Sequence, residues 1–344
     1  MSKPLVSVVL TSYNQAEWLQ ESIESVLAQT MSEWELMLID NGSTDHSMEI
    51  VKQYERHPQI TIIRHEQNKP HTVILNHGIR TARGRYFSLL QSDDYYLPRK
   101  LERQVAVFEE LPEEYGVVYS NGYRLKPDGS LILDPCGQHR GNVLEAILTE
   151  PAFFLPIAPL VRRECLLEVP FDETIFMEGE GIYAKLAIRH LFHPLPEPLV
   201  VMREHDRNVG KEIESNLRRC VLMYERLFAR PDFPAELRHL RGPAISGTYR
   251  VGGWQAIRRE RRYRAGRKWL LSAIGHDVRA LLNPRIAAGL LVSSLPKSLA
   301  DRCMDRLDRA IGAPPVPVAG PQTPVEGYAT ARTVDAGNAS ERVS

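Results

Sequence analysis

The feature that most constrains this chain is the regular exchange of two periodicities across its first hundred residues. "LVSVVLT" (5–11) is a short β-branched run. "QAEWLQESIESVLAQ" (15–29) then places Trp18, Leu19, Ile23, Val26 and Leu27 at helical spacing. "WELMLID" (34–40) reads as a second strand and leads into the turn "DNGSTD". Ser43 or Thr44 is the expected cap of the helix "DHSMEIVKQYER". The strand "ITIIRHE", the loop "QNKPH", the helix "TVILNHGIRTA" and the strand "RYFSLLQS" continue the alternation. This order predicts an α/β fold with a mostly parallel sheet flanked by helices. A further strand is expected at "GVVYSNGYRL", with "KPDGS" as a hairpin turn before "LILD".

In open parallel sheets, ligands bind beyond the carboxyl ends of the strands. "TSYN", "DNGSTD" and "QSDD" each follow such an end, so three polar clusters converge on one predicted crevice. In the last cluster the like charges Asp93 and Asp94 stand side by side. Either they form a solvated turn, with Pro98 starting a helix, or they await a cation that cancels their repulsion.

Formal net charge is zero, with 43 basic and 43 acidic residues, so no global field favours nucleic acid. Cys136, Cys165, Cys220 and Cys303 lie far apart, which offers neither a zinc cluster nor a disulfide framework and suggests a reducing cytosol. A strand starting within ten residues leaves no room for a signal peptide, and no apolar run reaches the roughly 18 residues that span a bilayer. The expectation is a cytoplasmic protein, soluble or peripheral at the inner membrane. Beyond 211 the chain is helical and basic, and "PRIAAGLLVSSLPKSLADRCMDRLDRAIG" mixes apolar and basic residues as membrane-surface helices do. Packing of these helices on the first domain is the alternative. From about 313 the composition turns to Pro, Ala, Gly, Thr and Val, which predicts disorder. The expected division is therefore 1–210, 211–312 and 313–344.

"VSVVLTSYNQAEWLQESIESVLAQT", "LIDNGSTDHSMEIVKQY" and "NHGIRTARGRYFSLLQSDDYYLPRKLERQV" resemble the bacterial family-2 glycosyltransferases. These are inverting enzymes of GT-A fold that use nucleotide-diphospho sugars. The resemblance covers roughly 4–210 and rests on several motifs in the right order. It implies that Asp40 accepts a hydrogen bond from the imide N–H of uracil or thymine, with Asn41 where relatives carry a second Asp. It also implies that Thr11, Tyr13 and Asn14 lie against the base; a plain strand-to-helix connection capped by Asn14 is the bland alternative. Asp94 becomes a ligand of Mn²⁺ or Mg²⁺, and Asp93 a ligand of metal or ribose, although Gln91 replaces the first Asp of the usual DSDD. His205 in "VVMREHDRNVG" matches a histidine that reaches the metal or diphosphate, unless it is a surface histidine. Arg203 is an alternative phosphate partner, as are His71 and Lys69, because Leu75 stands where relatives often carry an Arg.

Inverting transfer also needs a carboxylate base. In "FDETIFMEGEGIYAKLAIRH", counting forward from Phe171 selects Glu180, whereas counting back from the helix selects Glu178. Glu180 is the first choice and Glu178 the second. The acceptor implied by the resemblance is a glycan or lipid-linked molecule of cell-surface polysaccharide synthesis. Two alternatives remain: a nucleotidyltransferase, or a protein that binds a nucleotide sugar without turnover. The first would want a Gly-rich basic loop after strand one, and "TSYNQAEW" has none.

Overall fold

The computed structural model describes residues 3–150, 153–179, 181–205, 207–208 and 213–310. The expected alternation is present: β1 (Val6–Ser12), α1 (Ala16–Leu27), β2 (Trp34–Asp40), α2 (Ser47–Lys52), β3 (Ile60–Arg64), α3 (His71–Thr81) and β4 (Tyr86–Gln91). Side chains alternate across each strand. Val6, Val8 and Leu10 of β1 therefore join Leu36 and Leu38 of β2 on one face, under Leu19 and Ile23 of α1. Val9, Met37 and Ile39 point the other way, under Ile74, Leu75 and Ile79 of α3. Burial on both faces explains why β1 and β2 read as continuous apolar runs.

The chain continues through β5 (Tyr95–Tyr96), α4 (Lys100–Glu110), β6 (Tyr115–Leu125), β7 (Leu131–Asp134), α5 (Leu144–Thr149), β8 (Leu160–Arg162), α6 (Arg163–Glu168), α7 (Gly181–Ala187) and β9 (Leu191–Arg203). Among the described residues the sheet has nine strands in the order β3-β2-β1-β4-β8-β6-β9-β5, with β7 paired to β6. Only its first half is wholly parallel. β8 runs antiparallel to β4 and β6, β9 parallel to β6, and β5 antiparallel to β9. The hairpin at 126–130 joins β6 to β7 as expected.

Helices α8 (Ile213–Ala229), α9 (Arg241–Arg258), α10 (Tyr263–His276), α11 (Pro284–Val292) and α12 (Lys297–Ala310) follow. Leu227 and Phe228 of α8 and Ala244 of α9 join the core that underlies α3, whereas Ile257, Leu270, Ala273, Ile286 and Met304 form a core of their own. At the α9–α10 crossing a Cβ on Gly266 would lie 2.8 Å from the Gly253 carbonyl, so only glycine permits that approach. Among the described residues no helix is long and apolar enough to cross a membrane.

One expected cap is relocated. Neither Ser43 nor Thr44 caps α2. Asp45 accepts from the Ser47 N–H at 3.0 Å and, through its other oxygen, from the Ala16 N–H at 3.1 Å. One carboxylate thus serves the first turns of both α1 and α2, where the helix dipoles favour negative charge.

Candidate active site

Strand register assembles the site. Ser12 of β1 pairs with Asp40 of β2, and Thr11 pairs with Gln91 of β4. The ladder runs one step further, because Asn41 N–H donates to Ser12 O at 2.8 Å and Ser92 N–H to Thr11 O at 3.2 Å. Neighbouring strands lie about 4.8 Å apart, so the three polar clusters share one sheet edge, as the sequence predicted.

At one end sits Asp40, fully buried. Its Oδ2 accepts from the Ser43 N–H at 3.2 Å, and Arg64 approaches to 4.0 Å. Its Oδ1 is buried with no hydrogen-bond partner among the described residues. An orphaned buried acceptor is costly, and a ligand N–H is what this one lacks. Tyr13, 43% exposed, stands at the same edge with its ring free to cover a base.

Asn14 and Asn41 are spent on building the walls. Asn14 adopts φ +53, a left-handed conformation that Asn tolerates. Its Oδ1 accepts from the Thr44 N–H at 2.8 Å, and its own N–H donates to Ser43 Oγ at 3.0 Å. The Asn41 amide donates to Asn68 Oδ1 (2.7 Å) and Lys69 O (2.9 Å) and accepts from the Lys69 N–H (3.0 Å). Gly42, at φ +80, lets this turn press on the same loop, since a Cβ there would lie 2.8 Å from the Gln67 carbonyl carbon. Thr11 Oγ1 lies 3.1 Å from His71 Nε2. Burial pushes the His71 imidazole down to about 4, against the opposing pull of Asp93, so a neutral ring sits inside the site rather than a solvated cation.

At the other end the acidic turn is held from below and from the side. Ser22 Oγ donates to Ser92 O at 2.9 Å and also to Asp94 O. Asp94 Oδ1 accepts the Arg203 N–H at 2.8 Å. His205 Nε2 lies 3.0 Å from Asp93 Oδ2, and Asn208 Nδ2 lies 3.4 Å from the same oxygen. Burial, then the charge of Asp93, raises the Asp94 carboxyl well above the usual range. Asp93 Oδ1 is buried without a hydrogen-bond partner among the described residues. No group of three His, Cys, Asp or Glu side chains among the described residues closes a metal cage. Two adjacent carboxylates, one carrying an orphaned oxygen, nevertheless suit the oxygen-ligand chemistry of a hard cation.

The strap after β9 is latched to α1. The Trp18 ring stacks on His205 at 4.0 Å and 25°, with the Arg207 guanidinium 4.5 Å from the same ring. Arg203 pairs with Glu21 at 2.5 Å and donates to Asp93 O at 3.1 Å, which occupies the guanidinium that sequence reasoning offered to phosphate. Asn208 and the latching role of Trp18 escaped that reasoning. Helical spacing alone marks Trp18 as part of an apolar face; the further signal is an aromatic one helix turn from Glu21 and next to Glu17, both acids paired with the basic strap.

Of the two base candidates, Glu180 lies outside the described residues. Glu178 is buried, and both its oxygens are engaged. Lys185 Nζ stands 2.9 Å from Oε1 and 3.0 Å from Oε2, and the Asp172 N–H donates to Oε2 at 2.9 Å. The loop before it is stapled to α3 by Asn76, which bonds both N–H and C=O of Phe171, and by Thr72 and the His71 N–H. Gly179 follows at φ +58.

A family model described as Glycosyl transferase family 2 matches residues 7–147. The chain is 36% identical over 176 residues to the putative glycosyltransferase EpsE of Bacillus subtilis, covering 51% of this chain and 60% of that one. It is 36% identical over 134 residues to the putative teichuronic acid biosynthesis glycosyltransferase TuaG of the same organism, covering 38% and 52%. The match thus spans between half and three fifths of those relatives' length. S. aureus TarS 1–349, solved in complex with UDP, superposes with TM-score 0.60 at 16% identity, over 89% of this chain and 91% of that one. The mannosyltransferase PcManGT from Pyrobaculum calidifontis, solved with GDP-Man and Mn²⁺, gives 0.57 at 16%, over 90% and 89%. These neighbours establish the fold, which is GT-A. Residues 7–147 of this chain are thus similar to glycosyl transferase family 2.

Proposed function

We propose that this chain transfers a sugar from a nucleotide-diphospho sugar, of UDP or dTDP type, to a glycan or lipid-linked acceptor in polysaccharide synthesis, with inversion at the anomeric carbon. One observation carries the reading: two buried carboxylate oxygens, Asp40 Oδ1 and Asp93 Oδ1, are left without donors among the described residues along one strand-end edge. A nucleoside diphosphate would complement both ends, with an imide N–H for Asp40 and, at Asp93 and Asp94, a diphosphate whose charge a divalent cation would offset. The fold neighbours carry ligands of this class.

In this reading Tyr13 stacks on the base, and Asn14 and Asn41 shape the walls that orient it. Asp94, Asp93 and His205 would hold Mn²⁺ or Mg²⁺, which neutralises charge on the departing diphosphate. The acceptor hydroxyl oxygen bonds to the anomeric carbon from the face opposite the phosphate as the sugar–phosphate bond breaks. Its proton passes to a carboxylate. Lys185 occupies Glu178, so that role falls to Glu180. Purified protein incubated with nucleotide sugars and Mn²⁺ is expected to release nucleoside diphosphate, and Glu180→Gln to lower turnover at least about 10²-fold. No release with any donor and acceptor tried would defeat the transferase reading. The capture of Glu178 also favours a second reading, binding without turnover. Calorimetric Mn²⁺-dependent binding, combined with absence of transfer and hydrolysis, selects it.

A further inference from the structure

Among the described residues, nothing covers one face of the C-terminal helices. α11 turns Ile286, Gly289 and Val292 inward, against α9 and α10. Its outward side carries Pro284, Ala287, Ala288 and Leu291, spaced three or four residues apart along one stripe. Leu291 is 67% exposed. The 3-10 turn that leads into α11, Val278–Leu282, adds Val278, Leu281 and Leu282 at 68%, 54% and 86% exposed. By contrast, the exposed residues of α12 include Lys297, Arg302, Asp305, Arg306 and Arg309. Single exposed leucines are ordinary, whereas a continuous apolar stripe marks a contact surface.

Charge indicates what covers it. Between Asp277 and Asp301 there is no acidic residue, while Arg279, Arg285 and Lys297 fall inside that interval. Arg250 belongs to the α9 face that meets α11, one turn before Trp254, whose ring lies beside Gly289. Burial and then the nearby Arg285 lower the Arg250 guanidinium's pKa, so the two cations sit close enough to repel. The ion pairs of this region use Arg241, Arg258, Arg261, Arg262 and Arg279; among the described residues Arg250 and Arg285 have no carboxylate partner. Two uncompensated guanidiniums beside exposed leucines ask for a partner that is apolar inside and anionic at its surface.

We propose that the Val278–Leu282 turn and the outward stripe of α11 dock on an anionic lipid bilayer, with Leu281, Leu282 and Leu291 entering the interface and Arg250 and Arg285 facing lipid phosphates. Burial of the leucines supplies adsorption, and the cations supply selectivity for anionic headgroups. The surface lies outside the strand-end site, so this inference stands apart from the proposed transfer reaction.

The test is flotation of the full chain with vesicles of phosphatidylglycerol and phosphatidylcholine, or of phosphatidylcholine alone, at low and high salt. Wild-type protein is expected to float with the anionic vesicles at low salt and to be released at high salt. The pair Leu281→Glu/Leu282→Glu lowers the bound fraction at least about tenfold, because carboxylates face the same headgroups. Arg250→Gln/Arg285→Gln weakens binding about fivefold per charge removed. UDP affinity and melting temperature, read on the same samples, stay unchanged for the leucine variants, and Leu291→Glu is an independent second probe. Protein that remains in the soluble fraction at low salt, or floats equally after both leucine exchanges, overturns the proposal. So does light scattering that shows a dimer dissolved by Leu282→Glu, which would make this face a contact between copies.

Discussion

Exchanging Glu178 for glutamine separates two roles that the sequence leaves on neighbouring carboxylates. The Glu178 side chain is 3% exposed and that of Lys185 is 10% exposed, so solvent screens their pairing little. Once Glu178 is neutral, the Lys185 ammonium keeps the Pro170 carbonyl at 2.7 Å and an amide oxygen in place of the carboxylate. Removing one partner of a buried ion pair costs about 3–5 kcal/mol. The retained contacts put Glu178→Gln at the lower end, about 3 kcal/mol. For a unit of roughly 200 residues that corresponds to a melting temperature lower by about 6–12 °C. Differential scanning calorimetry reads the shift, and a nucleoside-diphosphate release assay, run well below the new midpoint, reads turnover. The expected pattern is a large fall in stability with turnover within about tenfold for Glu178→Gln, and the reverse for Glu180→Gln. If Glu178→Gln melted with wild type and lost turnover by about 10²-fold, the ion-pair argument would be refuted and Glu178 would be the base.

Other consequences follow from the same geometry. Asp94→Asn removes one of two adjacent buried charges while keeping an oxygen for the Arg203 N–H, so metal-free protein is expected to melt no lower than wild type. The same variant loses the Mn²⁺ dependence of nucleotide-sugar binding in calorimetry. Asp40→Ala is expected to weaken UDP binding by about 1.5–3 kcal/mol, the range for a hydrogen bond to a charged group, and to leave its Mn²⁺ dependence intact. Trp18→Ala removes the ring that stacks on His205, which is expected to raise the Mn²⁺ concentration for half-maximal activity more than it lowers kcat; Trp18→Phe restores most of the difference. Equal behaviour of those two Trp18 variants would show that the stack does not hold the strap.

The parallel half of the sheet was legible because its signals are local. β1 through β4 carry their own periodicity, and Asp40, Asp93 and Asp94 sit where strands stop. The other half is set by distant pairings. β5 is two residues long and β8 three, too short for any period to register. β9 runs thirteen residues through Pro194, Pro196 and Pro198, which argue against a strand in any local reading. It forms because β6 pairs along it, with register shifts near Ser120 and Asn121 that accommodate the prolines. Within the site the same division holds. The positions of the carboxylates could be read, whereas the partners that occupy Asn41, Arg203 and Glu178 come from segments up to 182 residues away.

If the proposed nucleotide site is correct, the orphaned oxygen of Asp40 carries a consequence for which bases it accepts. The buried Asp40 Oδ1 stands as an acceptor without a donor among the described residues. Cytosine offers a bare ring nitrogen at the position where uracil offers N–H, so a cytidine ligand there would set lone pair against lone pair. Under the proposed function, discrimination between those pyrimidines needs no steric gate: one acceptor without a partner among the described residues is enough to disfavour cytidine.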